Sequence, residues 1–162
     1  MLVVKGWKIG AHPRFVAQLA RLIEAVEREK ARKPDGYHDA PNAKLLAAIL
    51  SLILVRIPED PNATAYRLGD TLGNRRTHWF RAKFGGGRFR LFFRFSSGAG
   101  MILFVWVNDE KTLRTYESRT HAYGTFARML DSGNAPEDWS ALQAAAIRPE
   151  DLRQIIDRAK VT

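Results

Sequence analysis

The stretch Trp79 to Ser97, WFRAKFGGGRFRLFFRFSS, sets five Arg or Lys residues among seven aromatic ones and contains no acid. In a β-strand successive side chains point to opposite faces. Arg88 to Phe95 then places Phe89, Leu91, Phe93 and Phe95 on one face and Arg88, Arg90, Phe92 and Arg94 on the other. The segment before the glycines behaves alike, with His78, Phe80, Ala82 and Phe84 on one side and Trp79, Arg81 and Lys83 on the other. Each strand has an apolar face to bury and a cationic face carrying one ring.

Gly85, Gly86 and Gly87 supply the positive φ of a hairpin turn. The two apolar faces share one side of the sheet only if the loop holds two or four residues. Four residues set Lys83 opposite Arg90 and Trp79 opposite Arg94, whereas two set Lys83 opposite Arg88 and Arg81 opposite Arg90. Either register faces like charges across the ladder, which is unfavourable unless an anion sits between them. An ordinary solvated face mixes both signs, yet Arg75 to Arg94 holds seven basic residues and no acid.

The chain has 162 residues, the length of one domain. Its 46% hydrophobic content allows a packed core, while a formal net charge of +9 is high. Most of the excess lies in the hairpin; from Asp131 onward six acids face four Arg or Lys. A basic focus beside rings points to nucleic acid. The absence of cysteine excludes disulfides, a zinc ribbon and a thiol nucleophile, and fits a reducing cytoplasm. The start lacks the apolar core of a secretion signal. The most apolar run, Leu45 to Val55, is short of the ~18 residues of a membrane span and reads as a buried helix.

Outward from the hairpin, Val3 to Ala11 suits a short strand and Pro13 the first turn of a helix. Phe15, Leu19, Leu22, Ile23 and Val26 form its apolar stripe. A second helix is expected from about Asn42 to Ile57, ending before Pro58 and clamped between the first helix and the sheet. Met101 to Val107, MILFVWV, reads as a central strand covered on both faces. A polar connection follows, then helices at His121 to Leu130, Trp139 to Ala146 and Glu150 to Lys160. The order is that of an α+β domain.

The common hydrolase and phosphate-loop motifs are missing, and the four histidines show no ligand spacing, so neither a metal nor another cofactor is expected. The run Asn108 to Glu110 reads more readily as a turn than as a catalytic acid. What remains is chemistry made of cations. RNA can be cut by its own 2′-hydroxyl if the phosphate is held in line and its growing charge neutralised, as Arg and Lys can do. Tyr, Lys or His could move the proton, and Trp79 and Phe92 could stack splayed bases.

HPRF near the start, YRLGDTLG, HWFRAKFGGGRFRLFFRFS and ILFVWVNDEKTLRTY, continued by AYGTFARML and SGNAPEDW, resemble the YhaV family of type II toxins. The likeness runs from Trp7 to about Leu142 and is most specific from Trp79 to Tyr116. It implies a single RelE/ParE-like domain over residues 1–162: a small antiparallel sheet, N-terminal helices on one face, and added C-terminal helices with residues 146–162 as an extension. It implies an endoribonuclease that halts translation by cutting mRNA, often at the ribosome; the cation chemistry above adds that the cut needs no metal, and the missing cysteines that it takes place in the cytoplasm. It also implies neutralisation by a PrlF-type antitoxin with an AbrB-like DNA-binding part, so that operator DNA is met only through the antitoxin and no membrane is involved.

The superfamily's catalytic pattern falls on Arg81 and Lys83 before the hairpin, Arg90 after it, Arg114 beyond the last strand and Tyr123 near the start of the next helix. Lys111 competes with Arg114, and Tyr116 with Tyr123. Trp79, Arg88, Phe92, Arg94 and Lys111 would then bind RNA. Glu117 stands where the family has Gly and His121 where it has Asp; the Glu disfavours a left-handed turn and would reshape the loop carrying Arg114. Two readings stay open beside the nuclease: a binding protein without catalysis, and a ParE-like toxin acting on gyrase.

Overall fold

The computed structural model describes residues 1–108 and 118–162, with side chains of 118–121 not described. Lys111 and Arg114 therefore lie outside the described residues, as do Tyr116, Glu117 and the side chain of His121.

Among the described residues five strands form one sheet: β1 (Val3–Val4), β2 (Trp7–Ala11), β3 (Phe80–Phe84), β4 (Phe89–Ser96) and β5 (Met101–Val107), in the order β1-β2-β5-β4-β3. The expected first strand is a hairpin, folded at Lys5 and Gly6, both at positive φ. The sheet is mixed rather than wholly antiparallel, because β2 runs parallel to β5. That follows from the chain's path: β2 leads into α1 (Pro13–Arg32), and the helical and loop segments after it return the chain to the same end of the sheet.

All seven residues of β5 are buried, as expected of a central strand. The strand carries a bulge. Phe92 pairs with Trp106 and Phe93 with Phe104, so Val105 is the extra residue. Val105 and Trp106 consequently join one core while Phe104 and Val107 join the other. No alternation rule applied to a continuous apolar run could show this.

The Phe80, Ala82, Phe84, Leu91 and Phe93 face packs on α1, whose buried stripe is Phe15, Leu19, Ile23 and Val26. His12 caps that helix, its Nδ1 accepting from the Arg14 N–H at 3.1 Å. The second helix, α2 (Pro41–Ser51), does not stop before Pro58. It continues through a π-helical turn, Leu52–Arg56, into a last α-helical turn, Ile57–Glu59. Ile57 N–H bonds Leu52 O instead of the carbonyl four residues back. The shifted ladder accommodates a proline that has no N–H to offer. This helix is long and apolar enough to cross a membrane by length and composition alone. Leu46, Ile49, Leu52, Ile53 and Ile57 instead enter the core, and Val55 on the outer side is exposed, so the helix is clamped on one side only.

Among the described residues three helices follow: α3 (Ser118–Asp131), α4 (Trp139–Ala145) and α5 (Pro149–Lys160). α5 returns to the N-terminal core through Leu152, Ile156 and Ala159, and Arg158 pairs with Glu27 of α1 at 2.5 Å. The segment 146–162 thus completes the first core. α3 and α4 cover the other face of the sheet, where Trp79, Phe92, Leu103, Val105 and Trp106 meet Phe126, Met129, Leu130 and Leu142. Helices therefore pack on both faces.

Candidate nucleolytic site

The hairpin adopts the four-residue loop. Phe84 pairs with Phe89 and Lys83 with Arg90, leaving Gly85 to Arg88 as the turn. All three glycines have positive φ, and a Cβ on Gly85 would stand 2.7 Å from the Phe89 ring. Glycine is required there by geometry and space together.

Two like charges thus face each other across the ladder, and the structure separates them. Lys83 is exposed, while Arg90 turns inward and is 1% exposed. Arg90 Nη1 donates to Gly87 O at 3.0 Å and its Nε donates to Tyr123 Oη at 3.2 Å. Arg81, on the same face of β3, donates from its own Nε to the same oxygen at 3.1 Å. The loop before β3 fixes that guanidinium, whose Nη1 donates to both Ala65 O and Arg67 O at 3.1 Å.

Tyr123, on α3, thus receives two charge-assisted hydrogen bonds on one phenol oxygen. Burial is the largest single influence on it and pushes its pKa up. The bonds and positive charges of Arg81 and Arg90 together outweigh burial and hold it below the ordinary tyrosine value. The ring is steadied edge-on against Phe92 at 5.8 Å. Helix α3 begins at Ser118 instead of His121, so Tyr123 lies in its second turn.

Trp79 and Phe92 do not stand out as base-stacking rings, contrary to expectation. Both are 0% exposed, so neither presents a face to a base. Phe92 stacks on Phe126 at 4.2 Å and Trp79 meets the same ring edge-on at 5.0 Å. Arg94 is also engaged internally. Its guanidinium lies 5.5 Å from the ring centres of both Trp79 and Trp139, and its Nη1 donates to Glu137 O. It ties the segment before α4 to the sheet and is poorly placed to bind RNA. Arg90, expected among the catalytic cations, is covered and faces the tyrosine. Arg88, by contrast, is exposed at the hairpin tip, over the ring of Phe89.

The structure therefore brings together Arg81, Arg90 and Tyr123, leaves Lys83 and Arg88 exposed on the hairpin, and removes Trp79, Phe92 and Arg94 into packing. Sequence reasoning missed Asn108. Its Oδ1 accepts from Arg90 N–H at 2.5 Å and its Nδ2 donates to Arg88 O at 3.0 Å. Among the described residues no group of three or more His, Cys, Asp or Glu could hold a metal ion.

A family model described as a toxin with endonuclease activity, of a toxin–antitoxin system, matches residues 9–147. The chain belongs to the YhaV toxin family. It is 42% identical over 140 residues to the ribonuclease toxin YhaV of Escherichia coli K12, covering 86% of this chain and 91% of that protein. Toxin YhaV of Escherichia coli O6:H1 matches to the same extent. No solved structure gives a significant match. The matched region of this YhaV-family chain contains the Arg81–Arg90–Tyr123 cluster and the core under α3 and α4, while the Leu152, Ile156 and Ala159 that α5 adds to the first core lie beyond it.

Proposed function

We propose that this toxin is an endoribonuclease that cuts mRNA through the RNA's own 2′-hydroxyl, with Tyr123 as the proton-transfer group. The observation that carries this is one half-buried phenol held by two guanidinium groups at 3.1 and 3.2 Å. A binding surface needs charge, but it has no use for a tyrosine whose proton is loosened. In this reading Tyr123 Oη takes the 2′-hydroxyl proton as the 2′-oxygen attacks phosphorus. The bond to the 5′-oxygen breaks, and that oxygen receives a proton for which Lys83 is the exposed donor on the same face. Arg81 neutralises charge growing on the phosphate, and Arg90 acts through Tyr123. The products are a 2′,3′-cyclic phosphate and a 5′-hydroxyl.

The finer readings belong to the same proposal: a RelE-like ancestry for the fold, action on ribosome-bound message, and control by a PrlF-type antitoxin. An acidic antitoxin segment would meet Lys83 and Arg88 first, because these are the exposed cations of the hairpin. The test is cleavage of single-stranded RNA, free and on ribosomes, in excess EDTA, with analysis of the new ends. Cleavage leaving cyclic phosphate ends is expected. Activity lost in EDTA and restored by magnesium, with 3′-hydroxyl ends, would overturn the mechanism.

A further inference from the structure

The end of β5 is fastened on both sides by side-chain amides. On one side Gln18 of α1 donates from Nε2 to Val107 O at 2.7 Å and accepts from Val107 N–H at 3.0 Å. It substitutes for the strand that β2 no longer provides, since the β2–β5 pairing ends at Ala11 and Phe104. On the other side Asn108 takes over from the β4–β5 ladder, whose last pair is Leu91 with Val107. Asn108 N–H donates to Arg90 O at 3.3 Å, and its side chain bonds the N–H of Arg90 and the carbonyl of Arg88. Asn108 is 2% exposed. A single residue thus holds both backbone polar groups of Arg90 and the backbone two residues before it.

We infer that Asn108 is a positioning residue for the proton-transfer tyrosine. It fixes the backbone from which Arg90 reaches Tyr123 Oη, and so controls how readily that phenol gives up its proton. The inference rests on the nuclease reading above. The geometry supports it in three ways. First, β4 enters from a run of three glycines at positive φ, so the start of the strand has little stiffness of its own. Second, Arg90 has a long side chain, and a small backbone rotation at its root displaces the Nε donor from a bond that is already 3.2 Å long. Third, an asparagine suits the position because it offers an acceptor to Arg90 N–H and a donor to Arg88 O at once. Aspartate would lack the donor, and alanine would leave both backbone groups unpaired. Among the described residues, the charged groups that set the ionisation of Tyr123 are Arg81 of β3 and Arg90 of β4. Loosening Arg90 therefore moves the tyrosine toward its ordinary, higher pKa.

The test compares Asn108→Ala with Gln18→Ala and Arg90→Ala in the full chain. Asn108→Ala and Gln18→Ala each lose two side-chain hydrogen bonds at the same end of β5, and only the first pair reaches Arg90. The probe is an end-labelled single-stranded mRNA transcript, with kcat, KM, the pH–rate profile and the melting midpoint measured for each protein. Asn108→Ala is expected to lower kcat about 10–100-fold, within the cost of removing a hydrogen bond that supports a site, with KM changed less than threefold. Its tyrosine-dependent limb should move to higher pH. Gln18→Ala should melt earlier by a similar amount yet keep kcat within threefold and leave that limb in place. Equal losses of kcat in the two alanine variants, or an unmoved limb in Asn108→Ala, would show a merely structural role and overturn the inference. If Arg90→Ala itself cuts RNA at the normal rate, Arg90 does not tune the tyrosine and the inference falls with it; if the parent chain cuts no RNA, the nuclease reading fails instead, whatever Asn108 does.

Discussion

The two faces of the hairpin share one alternating pattern and end in different chemistry. On the N-terminal side Phe80, Ala82, Phe84, Leu91 and Phe93 meet α1, α2 and α5 in a core without a buried charge of the hairpin. On the other side the face is divided along its length. Trp79, Phe92 and Arg94 lie under α3 and α4 as core, whereas Arg81, Lys83, Arg88 and Arg90 border the tyrosine and the hairpin tip. Five cations that look equivalent in sequence have three different tasks: holding a helix, tuning a phenol, and facing solvent. What lies over each cation decides which: Arg94 meets Trp139 of α4 and Glu137 before it, Arg81 and Arg90 meet Tyr123 of α3, and Lys83 and Arg88 stay exposed.

The largest expected effects test the covered half. Phe92→Ala removes a fully buried ring that contacts Phe126, Trp106 and Tyr123, and should cost about 3–5 kcal/mol by denaturant unfolding, typical of Phe to Ala in a core. A base-stacking residue would leave stability nearly unchanged and weaken RNA binding instead. Next comes Arg81→Ala, which should lower the cleavage rate by about 10²-fold, the scale of one lost charge-stabilising donor, with stability altered far less than by Phe92→Ala.

Arg94→Ala and Arg88→Ala then divide the two halves at single-residue resolution. Arg94→Ala should cost roughly 1–2 kcal/mol of stability, the scale of two cation–π contacts and a charged hydrogen bond, and leave the salt dependence of RNA binding in place. Arg88→Ala should do the reverse, lowering the slope of log affinity against log salt by about 1 with the melting midpoint unchanged. The reverse outcome for this pair would place RNA on the wrong half of the face.

The smallest expected effect is on pH. His12 has a lowered pKa, chiefly from burial and then from Arg14, so the native state holds the neutral imidazole that caps α1. Its contribution is complete above the unfolded value of about 6.5 and is lost as pH falls through the lower folded value. The melting midpoint should decline between pH 7 and 5, and His12→Asn, which keeps a capping acceptor, should flatten the decline. His78 is shifted in the same direction, chiefly by burial, so it adds to the decline and its share should persist in that variant.

The sheet was legible in the sequence where side chains alternate. The faces of β3 and β4, the four-residue loop as one of two allowed registers, and the burial of β5 all follow from period and turn chemistry. The parallel β2–β5 pair was not legible, because the direction in which a short first strand pairs depends on contacts 90 residues or so apart in the chain. The bulge at Val105 and the π turn before Pro58 were hidden because a uniformly apolar run carries no phase. At the site, Arg81, Lys83, Arg90 and Tyr123 were named from the family resemblance, and the structure joins three of them. Trp79 and Phe92 were misassigned because alternation tells which face a ring is on, not whether a helix covers it. Asn108 looked like a turn residue, since an asparagine after a strand has the same sequence signature whether it starts a turn or extends a ladder.

The central claim is that Tyr123, loosened by Arg81 and Arg90, moves the proton in RNA cleavage. The most direct measurement is single-turnover cleavage of a single-stranded RNA by Tyr123→Phe, with RNA affinity measured in parallel. The variant keeps the ring against Phe92 and removes only the hydroxyl. The rate should fall by about 10²–10⁴-fold, the range for loss of a general acid–base group, with affinity within threefold of the parent chain. Cleavage at the parental rate by a folded Tyr123→Phe protein would contradict it.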